Sequence, residues 1–330
     1  MKTRTALAQP ALGVAGIALV LPVALLLGFG AGSAESSVLV LGPLATFGLP
    51  VIAMIAFWWE DWPGTTLRYQ EWSGWADTAL VIVGAIVLTC VGQAIVDHVD
   101  LRGIFEADPG AAHAPTFPHA MPLAAAAFVA MLELTLVTEG WPLHRLGRVR
   151  AGVVALAVSW AVALAVYWLV DRTGLLAGPL LVSIGVWQVL LYVVLQGWPL
   201  REVRSQALRL VTANVVVIGG AYLTYVALHR LAEWHAPTIS AAGAAVVAGG
   251  LLVGMLFEGW PGIEDARGRA LTLAAVAVVS GALYAVLSVY ADGLRWTRAE
   301  SADWVAHAGL NAIGAGVILH VGIGRRRPFS

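Results

Sequence analysis

Apolar and polar residues occur in long alternating blocks along this chain. Ten of the apolar blocks extend for about 20 residues, the length at which an α-helix crosses the hydrocarbon core of a bilayer. We therefore predict an all-α integral membrane protein with about ten spanning helices in a single domain, residues 1–330. The predicted spans cover residues 11–30, 38–59, 77–96, 120–139, 151–170, 176–196, 209–228, 239–258, 270–290 and 303–323.

Four even-numbered spans end in nearly the same phrase, which is repeated as Glu60-Asp61-Trp62-Pro63, Glu139-Gly140-Trp141-Pro142, Gln196-Gly197-Trp198-Pro199 and Glu258-Gly259-Trp260-Pro261. A phrase that recurs at this spacing indicates an internal repeat. We interpret the chain as five tandem helical hairpins over about 11–63, 77–142, 151–199, 209–261 and 270–327. The last hairpin ends in Gly324-Arg325-Arg326-Arg327-Pro328, which we interpret as the same terminus with its Trp-Pro lost.

The repeated phrase favours an architectural role. Proline cannot continue the helical hydrogen-bond ladder, and tryptophan settles at the membrane interface. The carboxylates are less easily explained, because a negative charge at a helix C-terminus opposes the helix dipole. We expect Glu60, Glu139 and Glu258 to be favoured by something else, either ion pairs with arginines of neighbouring hairpins or a shared vestibule. We prefer the first, a ring of ion pairs between hairpins.

The distribution of basic residues predicts the orientation of the chain. Segments that precede the first span or follow an even-numbered span carry fourteen lysines and arginines, whereas the other connections carry five. Basic residues accumulate on the cytoplasmic side of membrane proteins. Both termini are therefore predicted to be cytoplasmic, in a cell membrane.

The composition supports a membrane location and excludes other classes. The chain is 59% hydrophobic and 12% charged, with a mean hydropathy of +0.82. That much apolar surface must face lipid or other helices, so the bilayer is the expected partner. A net charge of −1 gives no reason to expect nucleic acid, and the single cysteine, Cys90, excludes a disulfide framework. The first apolar run reaches about Gly30, long for a signal peptide, and is interpreted as a retained helix.

Histidines and aspartates suggest a metal site on the outer face. By the predicted orientation most histidines lie outside, near Asp97, Asp100 and Asp303, and such a ligand set is typical of zinc or copper. Asp303 and His307 are four residues apart and share one helical face. The proposed ligands are Asp303, His307, Asp97, His98, His113 and His119. The alternative is that these histidines are solvated or only donate and accept structural hydrogen bonds.

The pattern Asp303-x3-His307-x12-His320 resembles the ligand spacing in the C subunit of the copper membrane monooxygenases, which oxidise methane and ammonia. The resemblance covers fewer than twenty residues. In that family the segment between the histidines is polar and turns, whereas here it is an apolar helix. At 1.5 Å per residue His307 and His320 would be about 20 Å apart, so only Asp303 and His307 are kept as ligand candidates.

Glu133 is the candidate for acid–base chemistry. It stands inside the fourth span, where an ionisable group is costly and indicates function by default. It could bind a proton as the catalytic or coupling group of a transporter. It could instead be a neutral carboxyl group bonded to a neighbouring helix, through Gln188, Asn214, Asn311 or Gln93.

Three classes of function therefore remain open. The first, which we favour from the sequence, is a membrane protein with a copper or zinc site at its outer face, in particular an oxidoreductase. The second is a proton-coupled transporter or channel that uses Glu133. The third is a structural subunit of a membrane complex, with a membrane-protein partner or a second copy of itself. No substrate is indicated by the sequence.

Overall fold

The computed structural model describes residues 7–67, 72–173, 176–262 and 264–326, and this part of the chain is helical without strands. Nine described helices are long and apolar enough to cross a membrane, and a tenth is apolar but shorter. The predicted all-α polytopic fold is thus confirmed. The helices are α1 (Ala11–Phe29), α2 (Ala34–Trp58), α3 (Ser73–Val96), α4 (Met121–Val137), α5 (Arg148–Thr173), α6 (Ala177–Val194), α7 (Gln206–Leu231), α8 (Ala236–Leu256), α9 (Ala266–Asp292) and α10 (Ser301–Ile323).

Every even-numbered helix ends in the same backbone conformation. Its last turn widens to a π-helix, and the chain then turns through two residues with positive φ. In α2, for example, the N–H of Asp61 donates to the carbonyl of Ile55 at 3.0 Å, which satisfies a carbonyl that the helix leaves open. The first residue of each turn is Glu60 (φ 51°), Glu139 (53°), Gln196 (49°), Glu258 (55°) or Arg325 (51°).

The fifth helix end is therefore the same terminus as the other four, as predicted. In α10 the N–H of Arg326 donates to the carbonyl of His320 at 3.0 Å, the counterpart of the Asp61–Ile55 bond. Arg325 and Arg326 take the places of Glu258 and Gly259 in the preceding repeat. The Trp-Pro pair that follows in the other repeats corresponds to Arg327 and Pro328, which lie outside the described residues. The same backbone turn is therefore formed by different residues, Glu-Gly in the fourth repeat and Arg-Arg in the fifth.

The five even-numbered helices form a closed inner ring. Around it α2 packs on α4, α4 on α6, α6 on α8, α8 on α10, and α10 on α2 again. In α2, α6, α8 and α10, 50–78% of the residues in the apolar 18-residue stretch are buried, whereas in the odd-numbered helices 17–28% are buried. The odd-numbered helices therefore form an outer layer whose apolar side chains face outward, and contact with lipid accounts for them.

Each outer helix packs most extensively on one inner helix. Helices α3, α5, α7 and α9 pack on the inner helix that precedes them, and α1 packs on α10. The tandem hairpins predicted from the sequence are therefore not confirmed as packing units. Each outer helix packs mainly on the inner helix that precedes it around the ring, and not on the inner helix that follows it in its predicted hairpin. Close contacts use small residues, as at Gly249, where a Cβ atom would lie 2.2 Å from the Ser280 hydroxyl oxygen.

The two ends of the ring differ in what they contain. One end, the motif end, holds the four Trp-Pro pairs, and the far end is opposite. Both described chain ends lie at the motif end. Gln9 donates to the carbonyl of Leu256 at 3.1 Å, and Arg326 donates to the carbonyl of Met255 at 2.7 Å. The ends of the described chain therefore share one side of the ring, and that this side is cytoplasmic stays a prediction.

Polar contacts link neighbouring repeats around the motif end. Glu60 lies 3.6 Å from Arg148, which begins α5, and Glu139 forms a two-pronged ion pair at 2.6–2.7 Å with Arg209 of α7. In the third repeat the guanidinium group of Arg269, in α9, stacks 4.3 Å from the centre of the Trp198 ring. Each of these contacts runs from one repeat to the outer helix that packs on the next inner helix.

The polar contacts around the motif end form a belt, and the fifth repeat closes it. Arg326 pairs with Glu258 at 3.0 Å, and Arg325 forms an ion pair with Asp61 of the first repeat. The ring of ion pairs predicted between repeats is thereby confirmed, with one cation–π contact in place of an ion pair. Since most of these groups are partly exposed, each exposed pair contributes little to stability, and the belt acts mainly to fix neighbours.

Candidate functional site: a central cavity

The inner ring encloses a cavity of about 340 Å³ along its axis. On α2 the lining residues run from Val38 to Phe57. At 1.5 Å per residue the cavity is roughly 28 Å long, so it is narrow and extends through most of the helix length.

The cavity wall repeats in register from helix to helix. Counted back from the proline of each repeat, equivalent positions line the cavity, and some layers contain a residue from every inner helix. The layer 14 residues before the proline consists of Leu49, Phe128, Gly185, Val247 and Gly314. The layer 21 residues before it consists of Gly42, Met121, Gly178, Ser240 and His307. The sequence repeat therefore builds a pore-like wall with approximate five-fold symmetry.

The half of the cavity nearer the motif end is apolar. Its last layer, six residues before the proline, contains Phe57, Leu136, Val193 and Met255. An apolar layer of this kind gives an ion no polar groups in place of its hydration shell.

The half nearer the far end carries the polar groups, and α10 supplies most of them. Asp303, His307 and Asn311 follow one another at four-residue intervals along the face of α10 that lines the cavity. Thr46 of α2 and Ser240 of α8 complete the polar lining. The cavity is therefore amphipathic along its axis, with one polar and one apolar half.

His307 is fully engaged in structural hydrogen bonds. Its side chain is 4% exposed; its Nε2 lies 2.9 Å from the carbonyl oxygen of Leu27, and its Nδ1 lies 3.3 Å from the amide nitrogen of Asn311. A carbonyl only accepts, so Nε2 must carry the proton and Nδ1 must accept from Asn311. His307, like Trp304 with Gly28 at 3.1 Å, thus satisfies carbonyls at the C-terminus of α1.

Asn311 extends this network to α2. Its side-chain amide donates to the Thr46 hydroxyl at 3.0 Å and to the Gly42 carbonyl at 3.3 Å. The polar group of α10 therefore joins three helices, α1, α2 and α10, at the point where the ring closes. From the sequence, Asn311 was predicted only as a possible partner for Glu133, and its role in this network was missed. Its four-residue offset from His307 was the available signal.

The six predicted metal ligands lie in three separate places. Asp303 and His307 line the central cavity. Asp97, His98 and His119 line a smaller cavity of about 290 Å³ beside Gln93 and Thr116. His113 lies instead in the 97–120 connection, bonded to Asp100 at 2.9 Å.

No group of three His, Cys, Asp or Glu side chains that could hold a metal ion occurs among the residues that the structure describes. His307 has no free lone pair, and Asp97 pairs with His98 at 3.1 Å in an exposed position. The predicted copper or zinc site thus gains no support from the geometry and stays a prediction. The single helix from Ser301 to Ile323 agrees with the expected wide separation of His307 and His320.

The 97–120 connection is ordered by Asp100. Its carboxylate accepts from the backbone N–H groups of Arg102, Gly103 and Ala114 at 3.0–3.2 Å and contacts His113. Partial desolvation alone would raise the pKa of Asp100. The bonds from Gly103, Ala114 and His113 outweigh it and lower the pKa from 3.8 to about 2. This carboxylate holds the loop whose Phe117 and Pro118 line the central cavity.

Glu133 lies between α4 and α6, outside the cavity lining. Its Oε2 accepts from the side-chain amide of Gln188 at 2.6 Å, and that amide also donates to the carbonyl of Val129 at 3.1 Å. Gln188 is one of the four partners considered from the sequence. Glu133 begins the π-turn of α4, where the other repeats have apolar residues, so it has no counterpart.

In comparisons with known proteins, no protein-family model, no curated protein and no solved structure matches the chain. The class that the fold defines is a polytopic helical membrane protein with a ring of five inner helices around an axial cavity.

Proposed function

We propose that this membrane protein binds an extended apolar molecule in its central cavity. The observation that carries the proposal is the predominantly apolar wall contributed in register by the five inner helices. Apolar cavities of this kind stay dry and take up apolar ligands, and a volume of about 340 Å³ is in the range of small-molecule sites.

The shape of the cavity narrows the choice of ligand. A space of about 340 Å³ spread over roughly 28 Å fits one aliphatic chain better than a compact ring system. The apolar layer of Phe57, Leu136 and Val193 argues against an aqueous ion channel, because it gives an ion no polar partner.

Photolabelling with an apolar diazirine in lipid nanodiscs tests the proposal. The carbene should label the cavity residues Leu132 and Val247, and also the lipid-facing residues Val278 and Val286 of α9, which are 71% and 67% exposed. Excess dodecane should reduce labelling in the cavity more than labelling on α9.

A pair of matched variants makes this test specific. Gly185→Leu puts a side chain into the middle layer, and its Cβ atom would lie 3.9 Å from Val247, an ordinary contact. We expect cavity labelling to fall at least about fivefold while labelling of α9 is unchanged. The control is Gly281→Leu on α9, where a Cβ atom meets nothing within 4 Å. Cavity labelling that survives Gly185→Leu would contradict the proposal.

A proton-linked role for Glu133 is the second candidate. Glu133 Oε1 and Gln188 Oε1 are both buried, and neither has a hydrogen-bond partner among the described residues. Both are acceptors when Glu133 is ionised. A single proton on Glu133 Oε1 would provide the donor that these two oxygens lack, in a cyclic acid–amide pair. This supports Glu133 as a proton-binding group.

Infrared spectroscopy of the purified protein tests this second candidate. The carbonyl band of a protonated carboxyl group should be present at about pH 7 and lost in Glu133→Gln. Glu139→Gln, a carboxylate of the same helix end that pairs with Arg209, should retain the band. A wild-type spectrum equal to that of Glu133→Gln would contradict a proton bound to Glu133. Unchanged proton flux in liposomes with Glu133→Gln would contradict a role for Glu133 in coupling.

A further inference from the structure

We infer that the occupant of the central cavity carries a hydrogen-bond-donating head group, an alcohol or an amine, which binds Asp303. The inference rests on the proposed function, because it concerns the polar end of the same ligand. It follows from which of the polar groups in the far half of the cavity are already engaged by protein and which are not.

Most polar groups in the cavity wall satisfy one another. His307, Asn311 and Thr46 form a connected set with backbone carbonyls, in which each donor has an acceptor. A ligand gains little from groups whose hydrogen bonds are already made, because it would have to break those bonds first. These three residues therefore shape the wall and are not the main contacts for a head group.

Asp303 is different, because its carboxylate accepts fewer hydrogen bonds than it can. One of its oxygens accepts from the backbone N–H of Glu300 at 2.9 Å, as part of the capping box that begins α10. Within the described residues no other donor reaches it, and no Arg, Lys or His forms an ion pair with it. A carboxylate can accept about four hydrogen bonds. It lines the central cavity, as do Phe117 and Pro118.

This placement selects among head groups. A hydroxyl or ammonium group can donate to Asp303 while its chain occupies the apolar half toward Phe57. A fatty acid would bring a second acceptor, and a second negative charge when ionised, to a site without a cationic partner. A plain alkane would leave the carboxylate without a new donor. The Ser240 hydroxyl of α8, in the same wall, supplies a second polar contact.

Competition against the diazirine probe tests the inference with four compounds of equal chain length, namely dodecanol, dodecylamine, dodecanoate and dodecane. At equal concentration in the nanodisc membrane, dodecanol and dodecylamine should protect the cavity at least about tenfold better than dodecanoate. Asp303→Asn, which keeps one acceptor oxygen for the capping box, should reduce this preference to about threefold or less. Glu300→Gln, at the same helix N-terminus, should leave the preference unchanged.

The outcomes separate the two proposals. Equal protection by all four compounds in the wild type would overturn the head-group inference and leave the apolar site intact. Protection by none of them would overturn the apolar site itself. A preference that survives in Asp303→Asn, with labelling and folding otherwise normal, would show that another group selects the ligand. Preferential protection by dodecanoate would overturn the inference that the head group donates to Asp303, because it would show that the site prefers an anionic head group.

Discussion

At the motif end of the inner ring, five helix ends share one backbone path and one belt of polar contacts. The connections at the far end share no repeated motif in sequence, and their lengths range from a few residues to the 24 residues between Val96 and Met121. The cavity follows the same division, apolar toward the motif end and polar toward the far end. The repeats thus form the common helical framework, and most polar residues of the cavity lie where the repeats diverge in sequence, above all on α10.

Removing the closing contact of the belt should have the largest effect. Arg325→Ala leaves Asp61, which is 6% exposed, without its ion pair between the first and fifth repeats. We expect the free energy of unfolding to fall by about 2–3 kcal/mol, below the cost for a fully buried pair because Arg325 is partly exposed. Unfolding in mixed micelles with rising SDS measures it.

The matched control is Arg148→Ala, whose partner Glu60 is exposed and 3.6 Å away. This variant should lose less than about 1 kcal/mol. Equal losses in the two arginine variants would mean that ring closure has no special weight.

The next largest effect is expected at the far end, from His307→Leu. The substitution leaves the buried Leu27 carbonyl without its donor and removes one of the three acceptors that Asn311 contacts. We expect a loss of about 2 kcal/mol in the same assay.

Ser240 occupies the same layer of the cavity, so Ser240→Ala serves as the comparison. It should change the free energy of unfolding by less than about 0.5 kcal/mol. A similar loss in both variants would show that the histidine network is not what distinguishes α10.

A smaller effect is expected from the repeated turn. Gly197 has a φ of 80°, and Gly197→Ala forces a Cβ atom into that left-handed conformation, with an expected loss of about 1 kcal/mol. At Gly219 of α7 a Cβ atom would meet nothing within 4 Å, and Gly219→Ala should be neutral or stabilising because alanine favours helix. Both free energies of unfolding come from the same SDS assay. The same sign for both changes would contradict this explanation of the turn.

The most local effect concerns the 97–120 loop and acid. The pKa of Asp100 is lowered in the folded loop from 3.8 to about 2. Its contribution to loop stability is therefore present above about pH 4 and is lost as the pH falls through about 2. Limited pepsin proteolysis should cleave the loop faster below about pH 3, whereas Asp100→Asn should be cleaved at about pH 4 already. Asp97→Asn, an exposed residue outside this network, should behave like the wild type.

Some features of the site were accessible from the sequence, for identifiable reasons. Asp303 and His307 were recognised because a four-residue spacing places them on one helical face, and both line the cavity. Gln188 was among the partners considered for Glu133 because few polar residues occur inside spans. The metal hypothesis drew on residues from distant segments, and nothing in one sequence shows whether such segments meet. In the described structure they lie in separate places.

The sequence by itself determined the number of apolar helices and where the even-numbered ones end. Both depend on local features, namely the length of each apolar stretch relative to the bilayer and the Trp-Pro motif at the helix end. It also indicated ion pairs between repeats, since carboxylates at helix C-termini need partners. Only the tertiary structure decided that the five even-numbered helices close into a ring, that α1 packs on α10, and that one face of each inner helix lines a cavity. Apolar residues that face lipid, another helix or a cavity look alike in sequence, because none of these surroundings requires a polar group.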